Sequence, residues 1–297
     1  MHVLISARTQ LKAALHCAYS AKAGTGGIAG PKITGVLRFF KDVGVKIVED
    51  PAANADSEPR KLYAVTLDGK TVKTPRQQPV ILPTEAMAYS VAHEWDSQIY
   101  DIRPATMPIM ALVSTALDLE YTSDSQETVD EIMHYLHTDT ICYQVTADQQ
   151  KKLLTQQTKK WRPIRKWFSD NFGGETDVSH GSIDRLAHDH DLVANVRAYL
   201  VKCMVELIVV LLLLKLNNFE LTAMRSLTKE CKSLITALGV FKRHITAKEA
   251  KDISRLEEEF QINNWGLVEG GHDLDRVNCA VKLSSASVLL FLLQNKH

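Results

Sequence analysis

The feature that most limits what this chain can fold into is a change of hydrophobic period at Pro83-Thr84. Upstream, Val43 to Val48 and Lys61 to Leu67 alternate, the two-residue repeat of half-buried strands. Asp68-Gly69 then gives a strong hairpin signal, because both residue types tolerate the positive φ angles of a two-residue turn. Thr71 to Lys73 reads as the return strand, Thr74-Pro75 ends it, and Val80-Ile81-Leu82 is a short apolar segment. Downstream the period lengthens. Thr84 can cap a helix, Glu85 suits its positive end, and Met87, Val91 and Trp95 recur at every fourth residue as one stripe. The expected class is α+β: a small β-rich N-terminal domain over residues 38–82, then a larger helical domain over 83–297. Trp95 should be largely buried where the two meet.

Within the helical part, Pro104 and Pro108 precede a helix over Met110 to Leu119. Asp124 with Glu127 would box the start of the next, which ends near His137, and Thr138 to Tyr143 reads as a short extended link. A long helix follows from about Ala147 to Asn171, kinked at Pro163 and ended by Gly173-Gly174. Thr246 and Glu249 cap a helix over Ala247 to about Phe260, and a last helix over about Leu274 to Leu293 is apolar enough to pack inside. The most apolar run, Val205 to Leu216, has eight residues between Glu206 and Lys215. That is far short of the roughly 20 needed to cross a bilayer, so it reads as a buried helix without integral membrane insertion.

Charge and cysteine usage narrow the setting. Residues 1–37 carry no acid and several Arg and Lys among alanines and serines, the composition of a mitochondrial transit segment; a disordered N-terminus is the alternative. Thirty-five basic residues balance thirty-five acidic ones, so no long-range field favours nucleic acid or an anionic membrane. Five scattered cysteines without a Cys-x-x-Cys pair argue for reduced structural thiols, which suits the matrix. Gly24 to Ala29 loosely matches a dinucleotide fingerprint but follows no strand, and is discounted.

Catalytic signals are sparse. His134-x-x-His137 with Asp139 would set two imidazoles on one helix face beside a carboxylate, the beginning of a metal site and the basis of an alternative reading as a metal-dependent matrix enzyme. His188-Asp189-His190-Asp191 reads as a polar helix entrance. Gly-x-Ser-x-Gly, P-loop and His-Glu-x-x-His patterns are missing from the sequence, and no cofactor is expected. A membrane-associated scaffold is a third class, and would need Val205 to Leu216 exposed. In Ser254 to Gly266, Ile253, Leu256 and Phe260 define a buried stripe, Glu257 falls at its edge and Glu258 points away. Glu257 is therefore placed to touch a partner while its stem packs; surface solubility is the competing account of all three acids.

Several spaced motifs carry a resemblance. They are Arg38-Phe39-Phe40, Leu67-Asp68-Gly69-Lys70, Lys73-Thr74-Pro75, Glu94-Trp95-Asp96-Ser97-Gln98, Thr138 to Tyr143, Ser254 to Gln261, Trp265-Gly266 and Glu269-x-x-His272-Asp273. In this order they resemble the mitochondrial assembly chaperones of the ATP synthase F1 sector that handle the alpha subunit. The resemblance implies a non-enzymatic, monomeric protein of the mitochondrial matrix that binds unassembled alpha subunit, shields its subunit interface and releases it to the beta subunit, with neither nucleotide nor metal. Glu257 matches the functionally important acid of that family and Trp95 its motif tryptophan. The expected partner-binding set is Glu94, Trp95, Asp96, Glu257, Gln261 and Trp265. Such a protein should expose an apolar patch rimmed by acids and amides. Against the family pattern the chain holds extra residues at about 204–218, either an insertion or translated intron, which interrupt a helix expected in the core.

Overall fold

The computed structural model describes residues 36–49, 61–119, 125–205 and 214–294. The transit-like segment up to residue 35, the loop at 50–60, Asp124 and the centre of the apolar run at 206–213 lie outside the described residues. Strand β1 (Val43–Glu49) pairs antiparallel with β2 (Lys61–Leu67) from Val43↔Leu67 to Glu49↔Lys61. β2 also pairs with β3 (Lys70–Thr71) and, further along, with β4 (Ile81–Leu82), and buries Ala64, Val65, Thr66 and Leu67. The turn between β2 and β3 is the expected one, with φ of 47° at Asp68 and 80° at Gly69. The Asp68 carboxylate accepts the Lys41 and Asp42 amides at 2.9 and 2.8 Å, so the turn also holds the chain entering β1. The return strand is shorter than expected, and Lys73 makes only an isolated bridge to Pro79.

Helix α1 (Glu85–Asp96) buries Met87, Ala88, Val91 and Ala92 against β1 and β2. Its cap is the predicted Thr84, whose Oγ1 accepts the Met87 amide at 3.3 Å and donates to the Leu292 carbonyl at 2.9 Å. One hydroxyl thus fixes the helix start and ties it to residues near the other end of the chain. α2 (Pro108–Leu119) and α3 (Ser125–His134) follow. Thr138 to Tyr143 is not an extended link: tight 3₁₀ turns span Tyr135–Thr138 and Thr140–Cys142 before β5 (Tyr143–Gln144), which pairs parallel with β6 (Ser179–His180). The cause is Asp139, fully buried, whose carboxylate accepts the Ile141 amide at 3.2 Å and the Ile235 amide at 3.0 Å. In α4 (Ala147–Phe172) the non-helical residue is Gln150 rather than Pro163, one position beyond the Thr146–Gln149 capping box. α5 (His190–Val205), α6 (Leu214–Cys231) and α7 (Leu234–Phe241) lead to α8 (Ala247–Ser254), α9 (Leu256–Trp265) and α10 (His272–Gln294).

α6 is the hub, touching α2, α3, α5, α7, α8 and α10. α10 is long and apolar enough to span a bilayer by length and composition, but it packs Cys279, Leu283, Ala286 and Leu290 against its neighbours as a core helix. Buried residues from Phe40 and Val65 through Leu293 form one continuous cluster, and Leu37–His297 is one compact unit. The strand-rich part at 38–82 and the helical part therefore share a core.

Their junction is a knot at the C-terminal end of α1. Glu94 accepts the Ile109 amide at 2.9 Å and the Met110 amide at 2.7 Å, using both carboxylate oxygens to cap α2. Buried Gln98 donates to the Glu94 carbonyl and to Thr106 Oγ1, and accepts the Arg103 amide. Arg38 donates to the Asp96, Gln98, Phe40 and Lys41 carbonyls, pairs with the Asp96 carboxylate at 3.7 Å and lies over the Phe40 ring. Phe40 meets Trp95 edge to face at 5.7 Å. Trp95 is mostly buried, as expected, with Phe40 and the core covering much of its ring; its buried indole N–H has no acceptor among the described residues.

Two outcomes follow for stability. Glu94→Ala leaves two amides of α2 without their acceptor and should cost about 2–4 kcal/mol, while Glu94→Gln, which keeps one acceptor oxygen, should cost less; urea melts of the three proteins read the difference. The second concerns Asp139. Burial pushes its carboxyl from 3.8 up to about 7, against the pull of the surrounding backbone donors. Folding then takes up a proton between these values, so this contribution is full below about pH 4 and is lost as pH rises toward 7. Unfolding free energies at pH 5 and 7 should differ less in Asp139→Asn than in the parent. An equal slope in both would mean the carboxylate stays ionised.

Candidate functional site

The acidic segment begins at a break. Ala247 to Phe260 is not one helix: Arg255, at φ −97° and ψ 11°, separates α8 from α9, and the Thr246–Glu249 box starts α8 as expected. The Arg255 side chain is buried and binds Glu258, Glu259 and Asp275, and Arg276 binds Glu259 in turn. Glu259 therefore staples α9 to α10 through Arg276, and Arg255 links Glu258 to Asp275 of α10. Glu258 is not the isolated solvated charge that helical geometry implied, because the break brings Arg255 beside it.

Glu257 turns the other way, toward α4. Its Oε1 accepts from Gln157 Nε2 at 2.6 Å, and the fully buried Gln157 accepts the Val145 amide at 3.1 Å through its own Oε1. One turn away, Trp161 Nε1 donates to the Ile253 carbonyl at 3.1 Å, joining α4 to α8. Glu257 is half-buried; burial raises its carboxyl pKa and the Gln157 bond opposes the rise. Among the described residues it has no cationic partner.

Beyond Glu257 the surface becomes apolar. Trp265 is 74% exposed, and Leu267 and Val268 stand exposed beside it in sequence. Gly266, at φ 92°, ends α9 in a conformation that side-chain-bearing residues rarely adopt, and the Val268 amide donates to His272 Nδ1 at 3.1 Å as the chain enters α10. Gln261, Asn263, Asn264 and Glu269, their neighbours in sequence, are exposed as well. An apolar patch among amides and acids is the surface anticipated from the motifs.

The six expected site residues fall in two places. Glu257, Gln261 and Trp265 lie along α9, which packs on α4 and α8, whereas Glu94, Trp95 and Asp96 lie at the knot between α1 and α2. Both oxygens of Glu94 hold backbone amides, and Asp96 faces Arg38. Sequence reasoning missed Gln157, Leu267 and Val268. Nothing in the polar face of α4 distinguishes Gln157 from Gln149 or Gln156, but an apolar pair directly after a helix-ending glycine was a readable signal.

The metal reading fails on geometry. Asp139 faces the Ile141 and Ile235 amides inside the protein, and His137 stacks on His188 with its Nδ1 at 3.4 Å from the Leu186 carbonyl. The segment is a polar helix entrance as expected, with α5 starting at His190 and Asp189 Oδ1 accepting the Asp191 amide at 3.1 Å, but His188 itself is buried: its Nδ1 accepts the Asp177 amide at 3.0 Å, so Nε2 carries the proton and donates to the Leu136 carbonyl at 2.6 Å. Burial lowers its pKa, favouring that neutral form. Among the described residues no three His, Cys, Asp or Glu side chains are grouped to hold a metal ion.

The chain has relatives among known proteins. Residues 37–169 match the family model described as ATP12 chaperone protein. The chain is 27% identical over 271 residues to the mitochondrial protein atp12 of Schizosaccharomyces pombe, covering 88% of this chain and 84% of the relative. It is 26% identical over 278 residues to the mitochondrial protein ATP12 of Saccharomyces cerevisiae, covering 83% of each. Among solved structures, Atp12 from Paracoccus denitrificans superposes with a TM-score of 0.70 at 25% identity, covering 87% of this chain and 99% of that one. A putative chaperone from Agrobacterium tumefaciens gives the same score and identity over 87% and 86%. Motif order, fold and relatives concur: the chain is similar to the ATP12 chaperone family, by its family model over residues 37–169 and by mitochondrial ATP12 proteins over most of its length.

Proposed function

We propose that this protein is an assembly chaperone of the ATP synthase F1 sector in the mitochondrial matrix, that its client is the unassembled alpha subunit, and that it acts by binding without catalysis. The observation that carries this reading is the α9 surface, where Trp265, Leu267 and Val268 stand exposed among Gln261, Asn263, Asn264 and Glu269. Large exposed apolar side chains in a polar rim are what a shielding interface needs, and a tryptophan at its centre is a typical energetic anchor. Glu257, positioned by Gln157 and without a cationic partner among the described residues, supplies a directed negative charge at one end. Glu94 and Asp96 enter as residues that hold the knot, and Trp95 as its mostly buried ring. Support for binding rather than chemistry comes from the buried titratable groups: Asp139 and His188 are committed to backbone partners, and the Cys142 and Cys231 thiols are raised by burial. The mitochondrial setting read from residues 1–37 is the one that both fungal relatives carry in their names.

Trp265→Ala should leave the melting temperature unchanged, since the ring is exposed, and weaken binding to purified alpha subunit by about 2 kcal/mol. Glu257→Gln removes the charge while keeping an acceptor for Gln157, and should cost about 1–2 kcal/mol of binding with little loss of stability. Glu257→Lys should lose binding and also destabilise the free protein by about 1–3 kcal/mol, because Gln157 Nε2 is left without its acceptor. Calorimetric titration against alpha subunit and thermal melts separate the two effects. If Trp265→Ala and Glu257→Gln both bind like the parent, the client does not use this surface.

A further inference from the structure

Helix α10 is apolar on two opposite sides. One face, with Cys279, Leu283, Ala286, Leu290 and Leu293, is buried in the core. The other carries Leu274, Val277, Val281, Val288 and Phe291, all exposed, with Val277 at 60%. Ser284 fills the gap, so these positions advance by three, four, three, four and three residues, the repeat of a coiled-coil seam. The seam runs about 25 Å along the helix. A helix apolar all round is ordinarily covered all round, and an uncovered straight seam of this spacing matches the facing side of another helix.

The charges around the seam select its occupant. The Asp275 carboxylate is taken by Arg255, Arg276 by Glu259, and Lys282 by Glu230. Glu269 and Asp273, at the N-terminal end, have no ion-pair partner among the described residues, while Arg243 lies over the Phe291 ring at the far end. The field at the open end is therefore negative, which disfavours an anionic lipid surface and favours a chain bearing Lys or Arg there. We infer that the outer seam of α10 docks an amphipathic helix of the client protein, apolar at every third or fourth residue and basic at the end that lies against Glu269 and Asp273. This rests on the chaperone reading above and adds a second, helix-shaped contact to the α9 surface.

Three forms of the full chain test it: the parent, Val277→Asn with Val281→Asn, and Glu269→Lys with Asp273→Lys. Binding to purified alpha subunit is measured at two salt concentrations, beside melting temperature and sedimentation. The seam variant should bind about tenfold or more weakly with an unchanged melt, and the charge variant should bind more weakly and with a shallower salt dependence. A photoreactive residue placed at position 281 should label a segment of alpha subunit with helical apolar spacing; labelling of a strand overturns the inference. If the parent binds and both variants bind equally well, the seam inference is wrong and the chaperone reading stands. If the parent does not bind alpha subunit at all, both fall. A parent dimer that the seam variant converts to monomer would show the seam to be a self-interface and overturn the proposal. Should the seam variant melt early, the charge variant, altered only at exposed residues, decides the matter.

Discussion

The carboxylate of Glu94 is the interaction on which the rest of the structure depends. It caps α2 from the last turn of α1, with an amide on each oxygen, and so fixes the angle at which the helical body leaves the helix lying on the sheet. Arg38 closes the same corner from the other side, binding four carbonyls on both flanks, and Gln98 fills the space between. Every group there is polar and partly or wholly out of water, so each bond left unmade would cost more than the bond contributes when present. Such a corner needs several residue types at once, and Arg38-Phe39-Phe40 and Glu94 to Gln98, far apart in sequence, supply them together.

Legibility followed the range of the interactions. The β2–β3 turn, the Thr84 and Thr246 caps and the Gly173 stop were readable because each is decided by a few neighbouring residues. The break at Arg255 was not, because its cause includes Asp275 on another helix; nor were the tight turns around Asp139, whose second amide comes from Ile235. Helical geometry placed Glu257 at the edge of its stripe, and that held. It could not supply Gln157, 100 positions away, and therefore missed that Glu257 has a structural duty alongside its exposed edge. The burial of Trp95 was legible as well, because the four-residue repeat it shares with Met87 and Val91 says which way its ring points.

These placements divide the six expected residues by kind of work. At the knot, Glu94 and Asp96 are occupied in holding the fold, so their replacement acts on every surface at once. Along α9, Trp265 and Gln261 stand clear of the core, and Glu257 is held to α4 by Gln157 while staying partly exposed. A chaperone built this way presents an apolar ridge on a rigid frame, where binding needs little reordering of the protein.

The most direct test of that account is amide hydrogen exchange in the full chain with and without purified alpha subunit. The account predicts slowed exchange over residues 257–268 on binding, with the amides of Ile109 and Met110 at the knot unchanged, since Glu94 holds them in both states. Unaltered exchange across 257–268 together with slowing at the knot would contradict it, and would move the binding surface to the α1–α2 corner.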